Sequence, residues 1–276
     1  MSLLRDPEVV ARVERLELPF NRLGLDPYGV SRKELVRWFS LLAWFYRHYF
    51  NVQVEGIKNV PPRGRAMLVG NHSGGVALDG AMVAISMLLE MDPPRLAQAM
   101  ADKFINLMPF ASEWTSRCGQ FTGLPENAER LLHDERLLMV FPEGARGTAK
   151  LYWERNSLVE FGSGFVRLAL ATKTPIIPFA FIGGGDAIPT VANLYRLGKL
   201  LGAPYIPLTP WLLPLPRAVP LRVMYGEAIR LEGSATDEDS IIEAHVERVK
   251  ARVAELIDAG RAQRQLRLSG RSNHQP

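Results

Sequence analysis

The chain contains a single cysteine, Cys118, among its 276 residues. One cysteine excludes an internal disulfide framework and a zinc site with several cysteine ligands. We expect Cys118 to be an inert residue of the core, which is the usual environment of a lone cysteine. The scarcity of cysteine is also compatible with a reducing compartment.

Long apolar runs are lacking as well. No stretch reaches the ~20 uncharged apolar residues that a membrane-spanning helix requires. The first 21 residues carry charges throughout, so we expect no cleaved secretory leader there. Any membrane contact is therefore expected to be peripheral or monotopic.

Several kinds of site lack their sequence signatures. The glycine run 183–185 has neither Gly-x-Gly-x-x-Gly nor a following Lys-Ser or Lys-Thr, and we interpret it as a turn at a strand end. His48 and His133 show no metal-ligand spacing, so we expect no bound metal. Basic residues are scattered without interleaved aromatic residues, which argues against nucleic-acid binding.

The composition favours one sizeable α/β protein. Hydrophobic residues make up 47% of the chain and charged residues 22%, which excludes wholesale disorder. A chain of this length can bury a substantial core. The net charge of +4 suits an anionic membrane face or an anionic substrate and identifies neither.

Apolar runs alternate with helical patterns along most of the chain. This order predicts an α/β fold with a largely parallel central sheet flanked by helices. We divide the chain into an N-terminal helical preface with an aromatic helix (1–50), the main domain (51–262) and a flexible polar tail (263–276). The predicted strands are 52–56, 66–69, 96–101, 137–141, 176–182 and 221–225, and the predicted helices are 79–90, 103–116, 125–134, 163–173 and 236–259.

Two apolar segments raise the question of membrane contact. Residues 35–50 are rich in aromatic residues and carry Arg37 and Arg47 near their ends, which indicates either an interfacial helix or a helix packed on the core. Residues 203–220 form an apolar loop dense in proline. An apolar loop either packs over the sheet or contacts lipid, and both readings stay open.

The most informative segment is 71–79, which reads Asn-His-Ser-Gly-Gly-Val-Ala-Leu-Asp and follows the predicted strand 66–69. A histidine at a strand end with a nearby carboxylate has the parts of an oriented general base. The imidazole of His72 accepts a proton near neutral pH, while Asp79 holds the other ring nitrogen as a donor. Asp79 also suits the positive end of the following helix.

A second motif, Phe-Pro-Glu-Gly-Ala-Arg-Gly at 141–147, follows the predicted strand 137–141. Carboxyl ends of parallel strands meet at one edge of a sheet, so Glu143 and Arg146 are expected near His72. The guanidinium of Arg146 offers a forked donor suited to a phosphate.

Taken in order, these residues resemble the glycerolipid acyltransferases typified by 1-acylglycerol-3-phosphate acyltransferase. The ordered set is Asn-His…Asp, Gly-x-Phe at 119–121, Phe-Pro-Glu-Gly-x-Arg at 141–146, and a Pro-Ile-Ile-Pro strand at 175–178. The resemblance covers roughly residues 50–230. Segments 161–165 and 183–189 are closer to the diacylglycerol-acyltransferase-like branch.

The resemblance implies a mechanism. His72 would take the proton of an acceptor hydroxyl as it attacks the thioester of acyl-CoA or acyl-carrier protein, and Asp79 would orient His72. The substrate-binding residues would be Asn71, Ser73, Glu143, Gly144 and Arg146. No acyl-enzyme is implied, and the chain offers no Gly-x-Ser-x-Gly elbow.

The resemblance also implies the protein's surroundings. The acyl donor is a substrate, so no cofactor and no metal are expected. The partners would be a membrane lipid acceptor and an acyl thioester. We expect peripheral or monotopic association with the cytoplasmic face of a membrane.

The chain departs from the family pattern in two places. Six residues separate His72 from Asp79, where the family has four, so the pairing depends on how the Gly74–Gly75 segment bends. The family's phosphate-binding arginine after Gly-x-Phe is absent here, which leaves room for a neutral acceptor such as diacylglycerol. Arg130 and Lys103 are alternative cations.

Three functions stay open from the sequence. The first is an O-acyltransferase acting on a lysophospholipid or related glycerolipid, or on a non-phosphorylated lipid. The second is a non-catalytic peripheral lipid-binding protein on the same fold. The third is a hydrolase in which His72 activates water instead of a lipid hydroxyl.

Overall fold

The computed structural model describes residues 5–73, 78–101, 115–122, 124–200, 202–212 and 215–272. The predicted helix at 103–116 lies almost wholly outside these residues, as do Gly74 and Gly75. The six predicted strands are all confirmed to within about one residue at each end. Three further short strands were not predicted.

The elements are numbered here in chain order. The strands are β1 (Gln53–Glu55), β2 (Ala66–Gly70), β3 (Ala97–Ala101), β4 (Gln120–Thr122), β5 (Leu137–Val140), β6 (Ile176–Ile182), β7 (Ala192–Leu194), β8 (Ile206–Leu208) and β9 (Arg222–Tyr225). The helices are α1 (Pro7–Glu14), α2 (Arg32–Trp44), α3 (Leu78–Glu90), α4 (Pro125–His133), α5 (Gly144–Thr148), α6 (Gly164–Thr172), α7 (Gly184–Ala187), α8 (Tyr195–Leu200) and α9 (Asp239–Ser272).

Seven strands form one mixed, mostly parallel sheet in the order β1-β9-β6-β2-β5-β3-β4. The run from β6 to β4 is parallel throughout, whereas β9 pairs antiparallel with β6 and parallel with β1. The predicted α/β class with a largely parallel sheet is therefore confirmed. β2 lies between β5 and β6, with Val69 level with Val140 on one side and Pro178 on the other. This register brings the segments after the three strands to one edge.

The sheet is buried on both faces, as parallel sheets generally are. Alternate residues of β2 show the division, because Ala66 and Leu68 belong to one core cluster and Met67 and Val69 to the other. The first cluster is completed by the N-terminal preface and α3, and the second by α4, α6 and α9. Burial of apolar surface on both faces fixes the sheet between two helical layers.

The aromatic helix of the preface packs on the core. Phe39, Ala43 and, in a π-helical turn (Phe45–Tyr49) that continues α2, Tyr46 are buried. Arg47, one of the basic residues considered for lipid contact, instead contacts Asp6 and Glu8. In the structure, residues 35–50 therefore pack on the core, which is the second of the two alternatives for this segment.

The proline-dense loop is built into a small unit of its own. β8 pairs antiparallel with β7 to form a second, two-stranded sheet, and α8 connects the two strands. Ala203, Tyr205 and Thr209 are buried, and the ring of Tyr205 meets that of Tyr195 on α8. Hydrogen bonds from Asn193 to the Ala149 carbonyl and from the Tyr152 amide to the Thr190 carbonyl attach this part of the chain to the main fold. Its exposed apolar residues are considered below.

The segment predicted to form a flexible tail from residue 263 begins within the last helix. α9 continues to Ser272. Gln263 donates to Glu55, and Arg264 donates to the carbonyl of Pro220 at 3.0 Å and pairs with Asp186. Gln263 and Arg264 are thus polar side chains that bond to other parts of the protein, and a polar composition alone does not distinguish such bonding from solvation.

Among the described residues, no helix is both long and apolar enough to cross a membrane.

The contacts of Arg264 give a stability prediction. Replacing Arg264 with Ala leaves the acceptors of Pro220 and Asp186 short of a donor, so the free energy of unfolding should fall by about 1–3 kcal/mol. Arg261→Ala is the matched control, since Arg261 pairs with Asp258 at 3.6 Å on the surface of the same helix, and should cost less than about 0.5 kcal/mol. Urea denaturation measures both. Equal effects would show that the end of α9 is not docked.

Candidate active site

Three neighbouring strands deliver the candidate residues to one edge of the sheet. His72 follows β2, Glu143 follows β5, and the glycine turn at 183–185 follows β6. Carboxyl ends of parallel strands are where ligands bind in open α/β sheets. The residues that the sequence placed together therefore lie at the edge at which a site is expected.

His72 and Asp79 meet despite the six residues between them. Nδ1 of His72 lies 3.0 Å from Oδ2 of Asp79, and both side chains are almost completely buried. With Asp79 as carboxylate, Nδ1 carries the hydrogen and Nε2 keeps its lone pair. Nε2 has no hydrogen bond to any described residue, so it is the ring atom left to accept a proton.

Asp79 itself is fixed by backbone donors. Oδ2 also accepts from the amide of Ser73 at 3.1 Å, and Oδ1 accepts from the amide of Gly80 at 2.8 Å. Asp79 lies in the first turn of α3, where the helix dipole favours a negative charge. Hydrogen bonds to both carboxylate oxygens hold the acceptor of His72 in one orientation.

The ring of His72 stacks on Phe141. The two ring centroids lie 4.0 Å apart with an interplanar angle of 10°. Phe141 in turn meets the edge of Phe179 on β6. One face of the imidazole is thereby covered by an aromatic wall, which restricts its rotation and excludes water from that side.

Asn71 joins the histidine loop to β6. Its side-chain amide donates to the carbonyl of Phe181 at 3.1 Å and its Oδ1 accepts from the Phe181 amide at 2.8 Å. These two hydrogen bonds take the place of the backbone hydrogen bonds that would pair the strands if β2 continued. Asn71 therefore fixes the start of the loop.

The backbone of His72 is held at both ends by one buried ion pair. Its amide donates to Oε1 of Glu143 at 2.9 Å, and its carbonyl accepts from Nζ of Lys150 at 2.8 Å. Glu143 and Lys150 contact each other at 2.5 Å, and their side chains are 0% and 1% exposed. Oε2 of Glu143 also accepts from the Val159 amide. We call the Glu143–Lys150 pair the clamp.

Burial and charge act in opposite directions on Lys150. Burial lowers the pKa of its ammonium group, and the Glu143 carboxylate opposes that shift. A buried ammonium is stable only while its charge is matched. The clamp consequently depends on both partners being present.

Arg146 and Gly144 lie outside this buried group. The guanidinium of Arg146 contacts Glu160 at 2.9 Å, and the side chains are 61% and 75% exposed. Gly144 adopts φ +56° and its amide donates to the Phe141 carbonyl, which makes the tight turn into α5. Arg146 is thus on the solvent side of the site, paired but accessible.

Gly147 permits the close packing of the two motifs. A Cβ added there would lie 2.6 Å from Cβ of Glu143 and 2.8 Å from Cβ of His72. Non-bonded carbon atoms do not approach each other this closely, so any side chain at position 147 would push the two motifs apart. The last glycine of the Phe-Pro-Glu-Gly-Ala-Arg-Gly segment is therefore a positioning residue.

The sequence reasoning missed Lys150 and the stacking role of Phe141. A lone lysine is normally solvated, so its residue type alone does not mark Lys150 as buried. The expectation that a buried Glu143 requires a cation was the available signal. Val140 pairs with Val69 in the sheet, and Phe141 directly follows Val140. The register of the two strands therefore already indicated that Phe141 would lie near the residues that follow β2, His72 among them.

Cys118 has no part in this site. It is buried, and burial raises the pKa of its thiol to about 12. A thiol with so high a pKa is a poor nucleophile near neutral pH. The structure thus agrees with the expected core role.

Comparison with known proteins gives a consistent result. A family model described as Acyltransferase matches residues 51–182. An uncharacterized protein of Mycobacterium tuberculosis is 35% identical over 228 residues, which cover 79% of this chain and 62% of the relative. An uncharacterized protein of Mycobacterium leprae is 34% identical over 229 residues, covering 79% and 61%. The chain therefore spans about three fifths of the length of these curated relatives.

A solved structure shares the fold. The 1-acyl-sn-glycerophosphate (LPA) acyltransferase of Thermotoga maritima superposes with a TM-score of 0.51 at 19% identity, covering 82% of each chain. Identity at this level supports a common fold and leaves the substrate of the present chain open.

The clamp gives a second stability prediction. Lys150→Met removes the cation and leaves Glu143 buried without a charge partner, so the free energy of unfolding should fall by about 3–5 kcal/mol. Adding Glu143→Gln to the same chain should recover part of that loss, because the isolated buried charge is gone. Urea denaturation of both variants measures the two effects.

Lys33→Met is the control for Lys150→Met, since Lys33 is exposed. It should change the free energy of unfolding by less than about 0.5 kcal/mol. Equal stability of the Lys150→Met and Lys33→Met variants would contradict a buried ion pair. So would a lower free energy of unfolding for Lys150→Met with Glu143→Gln than for Lys150→Met alone.

Proposed function

We propose that this chain, whose residues 51–182 match the family model described as Acyltransferase, transfers a fatty acyl group from an acyl thioester to the hydroxyl of a glycerolipid, with His72 as general base. The observation that carries the proposal is the 3.0 Å contact between His72 and Asp79. That contact forms in spite of a spacing longer than the family pattern.

The proposed step needs one base and no covalent enzyme intermediate. The acceptor hydroxyl oxygen attacks the thioester carbonyl carbon, and its proton passes to Nε2 of His72. The new C–O bond forms, the C–S bond breaks, and the proton leaves with sulfur as the thiol. General-base catalysis of this kind contributes about 10²–10⁴-fold to the rate.

Asp79 acts through His72. Its carboxylate keeps the hydrogen on Nδ1, and its negative charge stabilises the imidazolium that forms as the proton arrives. The stack on Phe141 holds the ring plane. A base fixed in tautomer and orientation loses little freedom when the acceptor binds, which favours reaction.

Glu143 is proposed as a positioning residue. Its two carboxylate oxygens are engaged by backbone amides and by Lys150, so direct contact with an acceptor would require breaking the clamp. Asn71 has a comparable role through β6. Both hold the peptide that carries the base.

Arg146 is proposed to meet the acceptor. It is the accessible cation of the motif, and exchange of Glu160 for a substrate phosphate would conserve its charge pairing. A phosphate on the acceptor would gain a forked donor in this way. With a neutral acceptor such as diacylglycerol, Arg146 would stay with Glu160.

The donor is proposed to be acyl-CoA or acyl-carrier protein, and the site of action the cytoplasmic face of a membrane, where the lipid acceptor resides. What supports the location is the chemistry of the acceptor together with an apolar surface described in the next subsection. No cofactor enters the proposed step.

Purified protein tests the proposal with labelled long-chain acyl-CoA, then acyl-carrier protein, against lysophosphatidic acid, other lysophospholipids and diacylglycerol in mixed micelles. We expect product with at least one acceptor, and a loss of about 10²–10⁴-fold in His72→Ala. Asp79→Asn should also lose activity, because the amide no longer fixes the tautomer. His133→Ala, on the surface of α4, is the control.

Three results would contradict the proposal in different ways. If His72→Ala were as active as His133→Ala, His72 would be excluded as the general base. Free fatty acid released without any acceptor would indicate a hydrolase. No product with either donor would favour a lipid-binding protein.

Arg146 has a separate test that distinguishes the acceptor class. With a phosphorylated acceptor, Arg146→Ala should raise KM by about tenfold or more, whereas Glu160→Ala should leave KM unchanged or lower it, because the competing carboxylate is gone. Steady-state kinetics with lysophosphatidic acid and with diacylglycerol provide the comparison. Equal KM values for Arg146→Ala and unmodified protein with lysophosphatidic acid would exclude phosphate binding by Arg146.

A further inference from the structure

Residues 188–220 leave the main fold after α7 and return at β9, and we call this segment the excursion. It contains the small β7–β8 sheet and α8. It is hydrogen-bonded to the main fold, but several of its large apolar side chains are open to solvent. They are Val191 (39% exposed), Leu194 (38%), Tyr195 (59%), Leu197 (42%), Leu200 (80%), Leu212 (71%) and Leu215 (60%). These seven residues are the apolar face.

So many exposed apolar side chains in one short segment require an explanation. Single exposed leucines are common on protein surfaces, whereas a concentration of them marks an interaction site. β7 and β8 place Leu194 opposite Ile206, and the indole of Trp211 donates to the Leu215 carbonyl. The face is therefore a folded surface.

The charge of the excursion has one sign. The sequence has no Asp or Glu between Asp186 and Glu227, and the segment contains Arg196, Lys199 and Arg217. Arg196 and Lys199 are exposed on α8 among the leucines. In the described part of the chain neither has a carboxylate partner. Apolar side chains flanked by unneutralised cations are complementary to a bilayer with anionic headgroups.

The excursion is attached to the candidate active site. Asn193 donates to the Ala149 carbonyl at 2.6 Å, and the Tyr152 amide donates to the Thr190 carbonyl at 2.8 Å. Ala149 directly precedes Lys150, which bonds the His72 carbonyl. The surface and the proposed base are thus joined through one short segment.

A second attachment leads to the aromatic helix. The hydroxyl of Tyr49 donates to the Pro216 carbonyl at 2.8 Å. The ring of Tyr49 lies 6.2 Å from that of Trp44, whose side chain is 51% exposed. Exposed tryptophans are typical of the headgroup region of a membrane, and Trp44 is connected to the excursion through Tyr49.

We propose that the apolar face docks this protein on a lipid bilayer with anionic headgroups, with Leu197, Leu200 and Leu212 entering the apolar layer and Arg196 and Lys199 meeting lipid phosphates. The inference rests on the proposed function and adds to it the surface through which a lipid acceptor reaches the site. Docking by this face orients the segment next to His72 toward the membrane.

Vesicle sedimentation tests the proposal. Unmodified protein should bind vesicles of phosphatidylcholine and phosphatidylglycerol in equal parts, and bind pure phosphatidylcholine vesicles more weakly. The double substitution Lys199→Glu with Leu200→Glu should weaken binding to the mixed vesicles by at least about tenfold, because it removes a cation and an apolar contact and adds two negative charges.

The chain offers a matched control. Arg22 and Leu23 are also a consecutive cation and leucine, both exposed, and Leu23 is 77% exposed against 80% for Leu200. Arg22→Glu with Leu23→Glu changes net charge and hydrophobicity equally at a different place. It should keep vesicle binding within about twofold. Thermal unfolding of both variants verifies that each is folded.

Each remaining outcome overturns the proposal. The proposal is wrong if unmodified protein does not bind mixed vesicles. It is also wrong if the two double variants lose vesicle binding to the same extent. A protein that is dimeric without vesicles and becomes monomeric in Lys199→Glu with Leu200→Glu would identify the face as an interface between copies. Sedimentation requires no turnover, so His72→Ala should bind vesicles like unmodified protein even if acyl transfer fails.

Discussion

The arrangement of the site depends on the buried ion pair between Glu143 and Lys150. Its two members bond the amide and the carbonyl of His72, so one peptide segment is fixed from both sides. A buried ion pair adds little net stability compared with apolar residues, but losing one partner is costly. Such a pair therefore serves position more than stability. Here it fixes the backbone from which the imidazole projects.

Positioning continues outward from the clamp in both directions. On one side the imidazole is held by Asp79 and covered by Phe141, which leaves Nε2 as the acceptor of a proton. On the other side the chain continues from Lys150 to Tyr152, which bonds the excursion at Thr190. The proposed base on the sheet edge is thus linked through a few residues to the surface proposed to meet the membrane.

Sequence alone was sufficient for six of the nine strands, most of which are followed by proline or glycine, whereas the three-residue strands β4, β7 and β8 were missed. It also predicted that His72 and Glu143 would meet, since parallel strands bring their carboxyl ends together. Lys150 escaped prediction because its burial is decided by Glu143, a contact made only in the folded chain. The docking of Gln263 and Arg264 was missed for a similar reason, as polar side chains that bond distant groups have the same composition as solvated ones. The return of Asp79 to His72 depended on loop geometry that spacing does not determine.

The central claim is that Asp79 holds His72 with its hydrogen on Nδ1, leaving Nε2 as the base. Long-range ¹H–¹⁵N correlation spectra of the protein's five histidines test this directly, with His72 assigned by its loss in His72→Gln. Under conditions in which the ring is neutral, we predict a protonated Nδ1 and an unprotonated Nε2, and loss of that pattern in Asp79→Asn. A hydrogen on Nε2, or a mixture of tautomers unaffected by Asp79→Asn, would contradict the account.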